Sequence, residues 1–75
     1  MNAADKLTRM ANQIATFFES QTGDQAAGVA AHINENWSPP MRAGLLDHIA
    51  QGGADLKPLV IEAAPLIRPA PARAL

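Results

Sequence analysis

Large apolar side chains recur along the first twenty residues at intervals of three and four positions, the spacing of one face of an α-helix. This apolar stripe comprises Leu7, Met10, Ala11, Ile14, Phe17 and Phe18. At 100° per residue the six positions cover an arc of about 120°. The pattern predicts an amphipathic first helix, from about Ala4 to Ser20, with the stripe facing the protein core.

Two more helices follow, and the residues at their ends define them. Asp24 is a suitable N-cap for a second helix over about Gln25–Asn36. Ser38 is an equally suitable N-cap for a third over about Pro39–Gln51, because proline is favourable at the first helical position. Gly52-Gly53 then ends the third helix, since glycine is preferred just beyond a helix C-terminus. No segment alternates between apolar and polar residues, so we predict an all-α bundle.

The segment from residue 56 onward is apolar and rich in proline. Pro58 suits a first helical turn, which predicts a short fourth helix over about Lys57–Ala64. Pro65 disfavours helical geometry at the residue before it and should stop that helix. We therefore expect one helical domain over residues 1–64, followed by an extended or disordered Pro/Ala-rich tail over residues 65–75.

The only tryptophan lies at the junction between the second and third helices. Trp37 directly precedes Ser38, so its ring can fold back on the first turn of the next helix. A side chain of this size is a strong apolar anchor. We interpret Trp37 as a structural anchor of the bundle rather than a functional side chain.

Composition narrows the possible functions. The chain has 75 residues with no cysteine, and 48% of it is hydrophobic, much of this alanine. A chain this short buries only about 60–65% of its unfolded surface, so a partner or self-association of the isolated chain would stabilise it. The formal net charge of −1 does not favour binding to nucleic acid or an anionic membrane. With no secretion signal and no stretch of membrane-spanning length, we expect a cytoplasmic protein.

No converging set of catalytic groups is visible in the sequence. His32 and His48 fall at the edges of their helical stripes, and neither has metal-ligand spacing to a second histidine. The absence of cysteine excludes thiolate zinc sites and iron–sulfur ligation by this chain. We expect no catalytic site, and no cofactor or metal bound by this chain itself.

Surplus apolar surface near the C-terminus supplies candidate partner contacts. Leu66 and Ile67 can help cover the bundle, whereas Leu56 and Ile61 should point elsewhere. Such a segment either docks on another protein or merely closes a small core, and the sequence leaves both interpretations open.

Three polar side chains are further candidate contacts. Arg42 falls within an apolar stripe, so its head group either extends to water or pairs with an acid across an interface. Asn12 and Gln13 lie in the middle of the first helix, where each is either solvated or hydrogen-bonded to a partner. The complete set of candidate contacts is Asn12, Gln13, Arg42, Leu56, Ile61, Leu66 and Ile67.

Four stretches of the chain, taken in order, resemble one protein family. They are Lys6–Phe18, Ala30–Ile33, Trp37–Arg42 and Ala50–Val60. Together they resemble the delta subunit of soluble, NAD-dependent formate dehydrogenases that contain molybdenum or tungsten, over about residues 5–63. Ser38 departs from the family pattern, which has an acidic residue at that position, although both residue types can cap a helix.

The resemblance implies a non-catalytic subunit. In such complexes formate is oxidised at a molybdopterin centre in the alpha subunit, and electrons pass through iron–sulfur clusters to FMN and NAD⁺ in other subunits, with beta and gamma subunits present. The implied role of the delta subunit is to support assembly, stability and retention or maturation of the molybdenum cofactor. Two alternatives stay open: a loosely bound assembly chaperone for the cofactor-bearing subunit, and a small helix-turn-helix DNA-binding regulator.

Overall fold

The computed structural model describes residues 2–69, and this part of the chain is a bundle of four α-helices without a strand. The elements are α1 (Ala3–Glu19), α2 (Gln25–Asn36), α3 (Pro39–Ala50), α4 (Pro58–Ala63) and a 3₁₀ turn (Ala64–Leu66). The predicted all-α fold is confirmed. Each predicted helix limit lies within one residue of the observed limit.

Polar side chains fix the beginnings of the three long helices. Asn2 caps α1 in a capping box, because its side chain accepts from the Asp5 N–H at 2.9 Å while the Asp5 carboxylate accepts from the Asn2 N–H. Asp24 caps α2 and Ser38 caps α3, each accepting from the N–H three residues further on. The caps predicted for α2 and α3 are confirmed, and each satisfies a backbone donor that the helix itself cannot pair.

Glycines form the turn after α3. Gly52 and Gly53 have φ angles of 123° and 63°, and their N–H groups donate to the carbonyls of Ile49 and His48 at 3.0 and 2.9 Å. This is the Schellman arrangement, which requires a left-handed backbone that glycine adopts without steric cost. The His48 ring hydrogen-bonds the Ala54 carbonyl at 2.9 Å and so supports the same turn.

Mostly small and medium-sized side chains from all four helices form the core. α1 packs against α2, α3 and α4, and α2 packs in addition against α4 and the 3₁₀ turn. The buried hydrophobic residues are Ala11, Ala15, Val29, Ala30, Ile33, Trp37, Leu45, Leu59, Val60, Ala63 and Ile67. Trp37 lies in this core with 6% of its surface exposed.

Five of the six members of the α1 apolar stripe lie in the core or pack against it, as expected, but most of the stripe does not lie on the fully enclosed side of the helix. The fully enclosed side of this helix is formed by Thr8, Ala11 and Ala15. Their mean direction lies about 90° around the helix from the centre of the stripe. Small residues take the interior because α1 touches three other helices, and they allow the backbones to approach closely. Phe17 is 59% exposed, and the other large members, Leu7, Met10, Ile14 and Phe18, are half-buried.

Two glycines accept the ends of large side chains from α1. A Cβ atom on Gly28 would lie 2.6 Å from Cε1 of Phe18, and one on Gly44 would lie 2.8 Å from Cδ1 of Leu7. Both distances are shorter than the optimal separation of non-bonded carbon atoms, about 3.5–4.0 Å. Phe18 and Leu7 therefore lie directly on the backbones of α2 and α3 and position α1 against both helices.

The C-terminal segment is packed on the bundle beyond the expected domain limit at residue 64. Pro65 lies within the 3₁₀ turn that continues from α4, and Ile67 is only 3% exposed. Leu56 is half-buried against the core, so the expectation that it points away is wrong. Leu66 is 51% exposed, because the helical path that buries positions 60, 63 and 67 turns position 66 outward. The predicted tail over residues 70–75 lies outside the described residues.

Candidate protein-docking site

An apolar groove lies beside α1, between this helix and the junction of α2 with α3. Its volume is about 530 Å³. Its lining residues are Met10, Gln13, Ile14, Phe17, Phe18, His32 and Trp37. Most of the side chains that α1 contributes belong to the apolar stripe, so the rotation of this helix explains the groove. Met10, Ile14 and Phe18 pack against the core with one side and line this surface recess with the other.

Aromatic rings form much of the groove. The Phe17 and Phe18 rings meet edge to face, with centroids 5.0 Å apart and ring planes at 89°. This geometry is favourable for an aromatic pair and, together with the contact of Phe18 on Gly28, gives the groove a fixed wall. Phe17 projects from that wall and Trp37 lies buried on the other side. A preformed aromatic recess of this kind is typical of the central part of a protein–protein contact.

Two polar side chains, Gln13 and His32, also line the groove, and both are exposed. They can donate or accept hydrogen bonds without losing a partner inside the bundle. Among the described residues, no acidic side chain lines the groove. Gln13 is the one candidate contact from the sequence that lies here, and its role as a contact stays a prediction.

Asn12 holds the loop between α3 and α4. Its Nδ2 donates to the Asp55 carbonyl at 2.9 Å, and its Oδ1 accepts from the Lys57 N–H at 2.9 Å. One side-chain amide thus pairs with both backbone groups that flank Leu56. Asp55 has a φ of 65°, uncommon for a residue other than glycine. The half-buried Asn12 amide bonds within the chain, which neither sequence interpretation anticipated.

Asn34 makes the same kind of pairing from α2. Its Nδ2 donates to the Leu66 carbonyl at 3.0 Å, and its Oδ1 accepts from the Arg68 N–H at 2.8 Å. We call the pairings of Asn12 and Asn34 the asparagine brackets. Asn34 was not among the candidates that the sequence indicated. The available signal was an asparagine inside a helix, where this residue type has low intrinsic propensity.

Arg42 joins the end of the C-terminal segment to the helix junction. Its Nε donates to the Arg68 carbonyl at 2.8 Å, and its Nη1 donates to the Trp37 carbonyl at 2.9 Å. The half-buried guanidinium therefore bonds two backbone oxygens of its own chain. Neither alternative drawn from the sequence, extension to water or pairing with an acid across an interface, included these backbone bonds, and contact of Arg42 with a partner stays a prediction. Planar, fixed donors make arginine well suited to such a link.

The remaining candidate contacts lie on and around α4. Ile61 is 40% exposed and Leu66 is 51% exposed, so both present apolar surface to solvent. Leu56 and Ile67 are instead engaged with the core. Contact of any of these four residues with a partner stays a prediction. The groove beside α1 is a separate apolar surface that the sequence did not indicate.

A protein-family model matches residues 6–64, and its family is the NADH-dependent formate dehydrogenase delta subunit FdsD. The chain belongs to this family. The resemblance seen in the sequence is thereby confirmed. Among curated proteins, none matches the chain. The match includes every residue that lines the groove, whereas Leu66 and Arg68 of the second bracket lie beyond it.

This delta-subunit family member lacks the usual protein ligands of an iron–sulfur cluster. An iron–sulfur cluster is held mainly by cysteine thiolates, and the chain has no cysteine. Within residues 2–69, no three histidine, aspartate or glutamate side chains come together in a way that could hold a metal ion. In the same range, no helix has the length and apolar character needed to cross a membrane.

Proposed function

We propose that this chain is a non-catalytic accessory subunit of a cytoplasmic NAD-dependent formate dehydrogenase complex. It binds the catalytic alpha subunit, in a complex that also contains beta and gamma subunits. It supports assembly, stability and retention or maturation of the molybdenum cofactor. The chain binds no cofactor itself, and molybdopterin, the iron–sulfur clusters and FMN belong to the other subunits.

One observation carries this proposal: an aromatic groove stays uncovered in a chain whose family is named as a subunit. Phe17, 59% exposed, is the largest exposed side chain of the groove. Full burial of a phenylalanine side chain stabilises by about 1.5–3 kcal/mol, so covering this ring in an interface would be favourable. A partner that binds only the folded chain would also raise the stability of this small domain.

The proposal is tested by deleting the chain from cells that produce the complex and purifying a tagged catalytic subunit. We expect loss of the other subunits on gel filtration, loss of molybdenum by mass spectrometry, or both, with recovery when the chain is supplied again. Normal molybdenum in a dissociating complex identifies a structural role, and missing molybdenum identifies a role in maturation. A complex that keeps its subunits and its molybdenum without the chain contradicts the proposal.

The two alternatives make different predictions. A loosely bound chaperone is lost from the active enzyme on gel filtration, whereas a subunit stays at a stoichiometric level. A DNA-binding regulator needs free basic side chains on its recognition helix. In α3, Arg42 and His48 bond to backbone carbonyls of their own chain, which weighs against that alternative.

A further inference from the structure

A second apolar recess, with a volume of about 270 Å³, lies on the same side of α1. It is lined by Ala3, Lys6, Leu7, Met10, Pro40 and Met41. Met10 lines both recesses, so they are adjoining parts of one surface, which we call the extended groove. From Ala3 to Phe18 this groove follows α1 for about 22 Å, at 1.5 Å per residue. The junction between α2 and α3 forms its other side.

We propose that the extended groove binds one amphipathic α-helix of the catalytic subunit. The apolar stripe of that helix lies along α1, and acidic residues flank the stripe. This inference rests on the proposed function. Beyond the proposed function, it specifies that the bound part of the partner is an α-helix and that this helix is acidic.

The shape of the extended groove fits a helix. Besides Phe18, the large apolar positions that α1 contributes are Leu7, Met10, Ile14 and Phe17, at intervals of three, four and three residues. Side chains at this spacing form the ridges that interdigitate with those of a second helix. Helix-in-groove recognition uses partner anchors at matching intervals. A length of about 22 Å accommodates about four helical turns.

The charge of the extended groove favours an acidic partner. The ionisable side chains that line it are Lys6 and His32, both exposed. Among the described residues, no acid lines either recess. Lys6 therefore gives the lining of the groove a positive charge, in contrast with the net charge of −1 for the whole chain. Carboxylates beside the apolar stripe of the partner would pair with Lys6, which favours the correct orientation and faster association.

A second copy of this chain fits the extended groove less well. Outside the groove, the large hydrophobic residues exposed in the described range are Ile61 and Leu66. They lie on Pro58–Leu66, a segment about 15 Å long that does not span the groove. Two grooves facing each other would place the positive charge of Lys6 from both copies in one interface, with no acid among the described lining residues to pair with it. The catalytic subunit therefore fits the groove better than a second copy of this chain.

Photocrosslinking identifies what occupies the groove. A photoreactive residue is introduced as Gln13→benzoylphenylalanine in the chain co-expressed with the complete complex, with Ile61→benzoylphenylalanine as the control outside the groove. We expect efficient crosslinking from position 13 to a helix of the catalytic subunit that has apolar residues at intervals of three and four and acidic neighbours. Crosslinks from position 13 to a second copy of this chain or to a non-helical segment would overturn the inference, as would crosslinks from position 61 alone.

Binding measurements provide an independent test in the same complex. We expect Phe17→Ser to weaken retention of the chain by about tenfold. Lys6→Glu should weaken it several-fold and flatten its dependence on salt, because a charge pair is lost. Leu66→Ser is the matched apolar control and should leave retention unchanged. Circular dichroism of each purified full chain verifies that the variants fold.

The results also separate this inference from the proposed function. If the complex retains the wild-type chain and also retains the folded Phe17→Ser and Lys6→Glu variants equally well, the groove inference is overturned. The proposed subunit role is then left intact. A wild-type chain that never co-purifies with the complex overturns the proposed function and, with it, the inference. The predicted charge pair can also be tested by reversing both charges. If an acid-to-lysine change in the partner helix, combined with Lys6→Glu, restores a low Kd or efficient crosslinking, the pairing is supported.

Discussion

Residues 55–68 and the extended groove lie on the same small bundle, yet they differ in how their groups are satisfied. Buried apolar side chains and specific polar bonds hold residues 55–68 in place, whereas apolar groups stay uncovered in the groove. The asparagine brackets pair two side-chain amides with four backbone groups of residues 55–68. Arg42 adds a link to the Arg68 carbonyl. In the groove, by contrast, Phe17 leaves 59% of its surface exposed.

This difference separates folding from binding. Each specific hydrogen bond to a backbone segment costs conformational entropy, because it fixes its groups in one geometry. Such bonds give a net stabilisation only where the segment stays on the bundle. An exposed aromatic surface contributes little to the folded chain and becomes favourable when another protein covers it. We therefore assign residues 55–68 to stability and the extended groove to association.

The strongest test of this assignment is Ile67→Ala. Ile67 is 3% exposed, so removing its side chain should lower the free energy of unfolding by about 2–4 kcal/mol through lost burial and a residual cavity. Urea denaturation of the full chain, followed by circular dichroism, measures this loss. Leu66→Ala is the control, because Leu66 is 51% exposed and should change stability by less than about 0.5 kcal/mol. Equal losses for the two variants would contradict the packing of this segment.

The bracket on α2 is expected to have a smaller effect. Asn34→Ala removes two hydrogen bonds and should lower the free energy of unfolding by about 1–2 kcal/mol. Asn34→Asp keeps the acceptor for the Arg68 N–H and loses the donor for the Leu66 carbonyl, so it should cause about half that loss. The same denaturation experiment measures both variants.

Asn36→Ala serves as the control for the bracket. The Asn36 side chain bonds the His32 carbonyl within the same helix, at 2.9 Å. Alanine has the higher helix propensity, so this change should be within about 0.5 kcal/mol of neutral. If Asn34→Ala is equally neutral, the bracket does not hold the segment to α2.

Local signals explain why the helices could be predicted within one residue. The helix limits depend on backbone groups only a few positions from Asp24, Ser38 and Gly52-Gly53. These limits can therefore be predicted from the sequence itself. The orientation of α1 could not be predicted in this way. Periodicity locates an apolar stripe, but contact with three other helices decided that Thr8 and Ala15, which lie outside the stripe, are also buried.

The candidate site was predictable only in part for the same reason. Gln13 was chosen as an ambiguous polar residue and lies in the groove, whereas Phe17 was assigned to the core and projects from the wall instead. The bracket of Asn12 joins groups 43 and 45 residues apart. Such a long-range polar pair leaves no periodic pattern, so only the folded chain reveals that Asn12 is a structural residue.

The smallest expected effect concerns the ion pair between Lys57 and Glu19, which lies beside the bracket of Asn12. Nζ of Lys57 and Oε1 of Glu19 are 3.2 Å apart, with 37% and 41% of the side chains exposed. An exposed pair contributes about 0.2–0.5 kcal/mol, and a glutamate at the C-terminal end of α1 also opposes the helix dipole. A double-mutant cycle of Glu19→Gln and Lys57→Met should therefore give a coupling energy below about 0.5 kcal/mol that falls further at high salt. Coupling above about 1 kcal/mol would mean that charge, rather than the Asn12 amide, attaches this loop to α1.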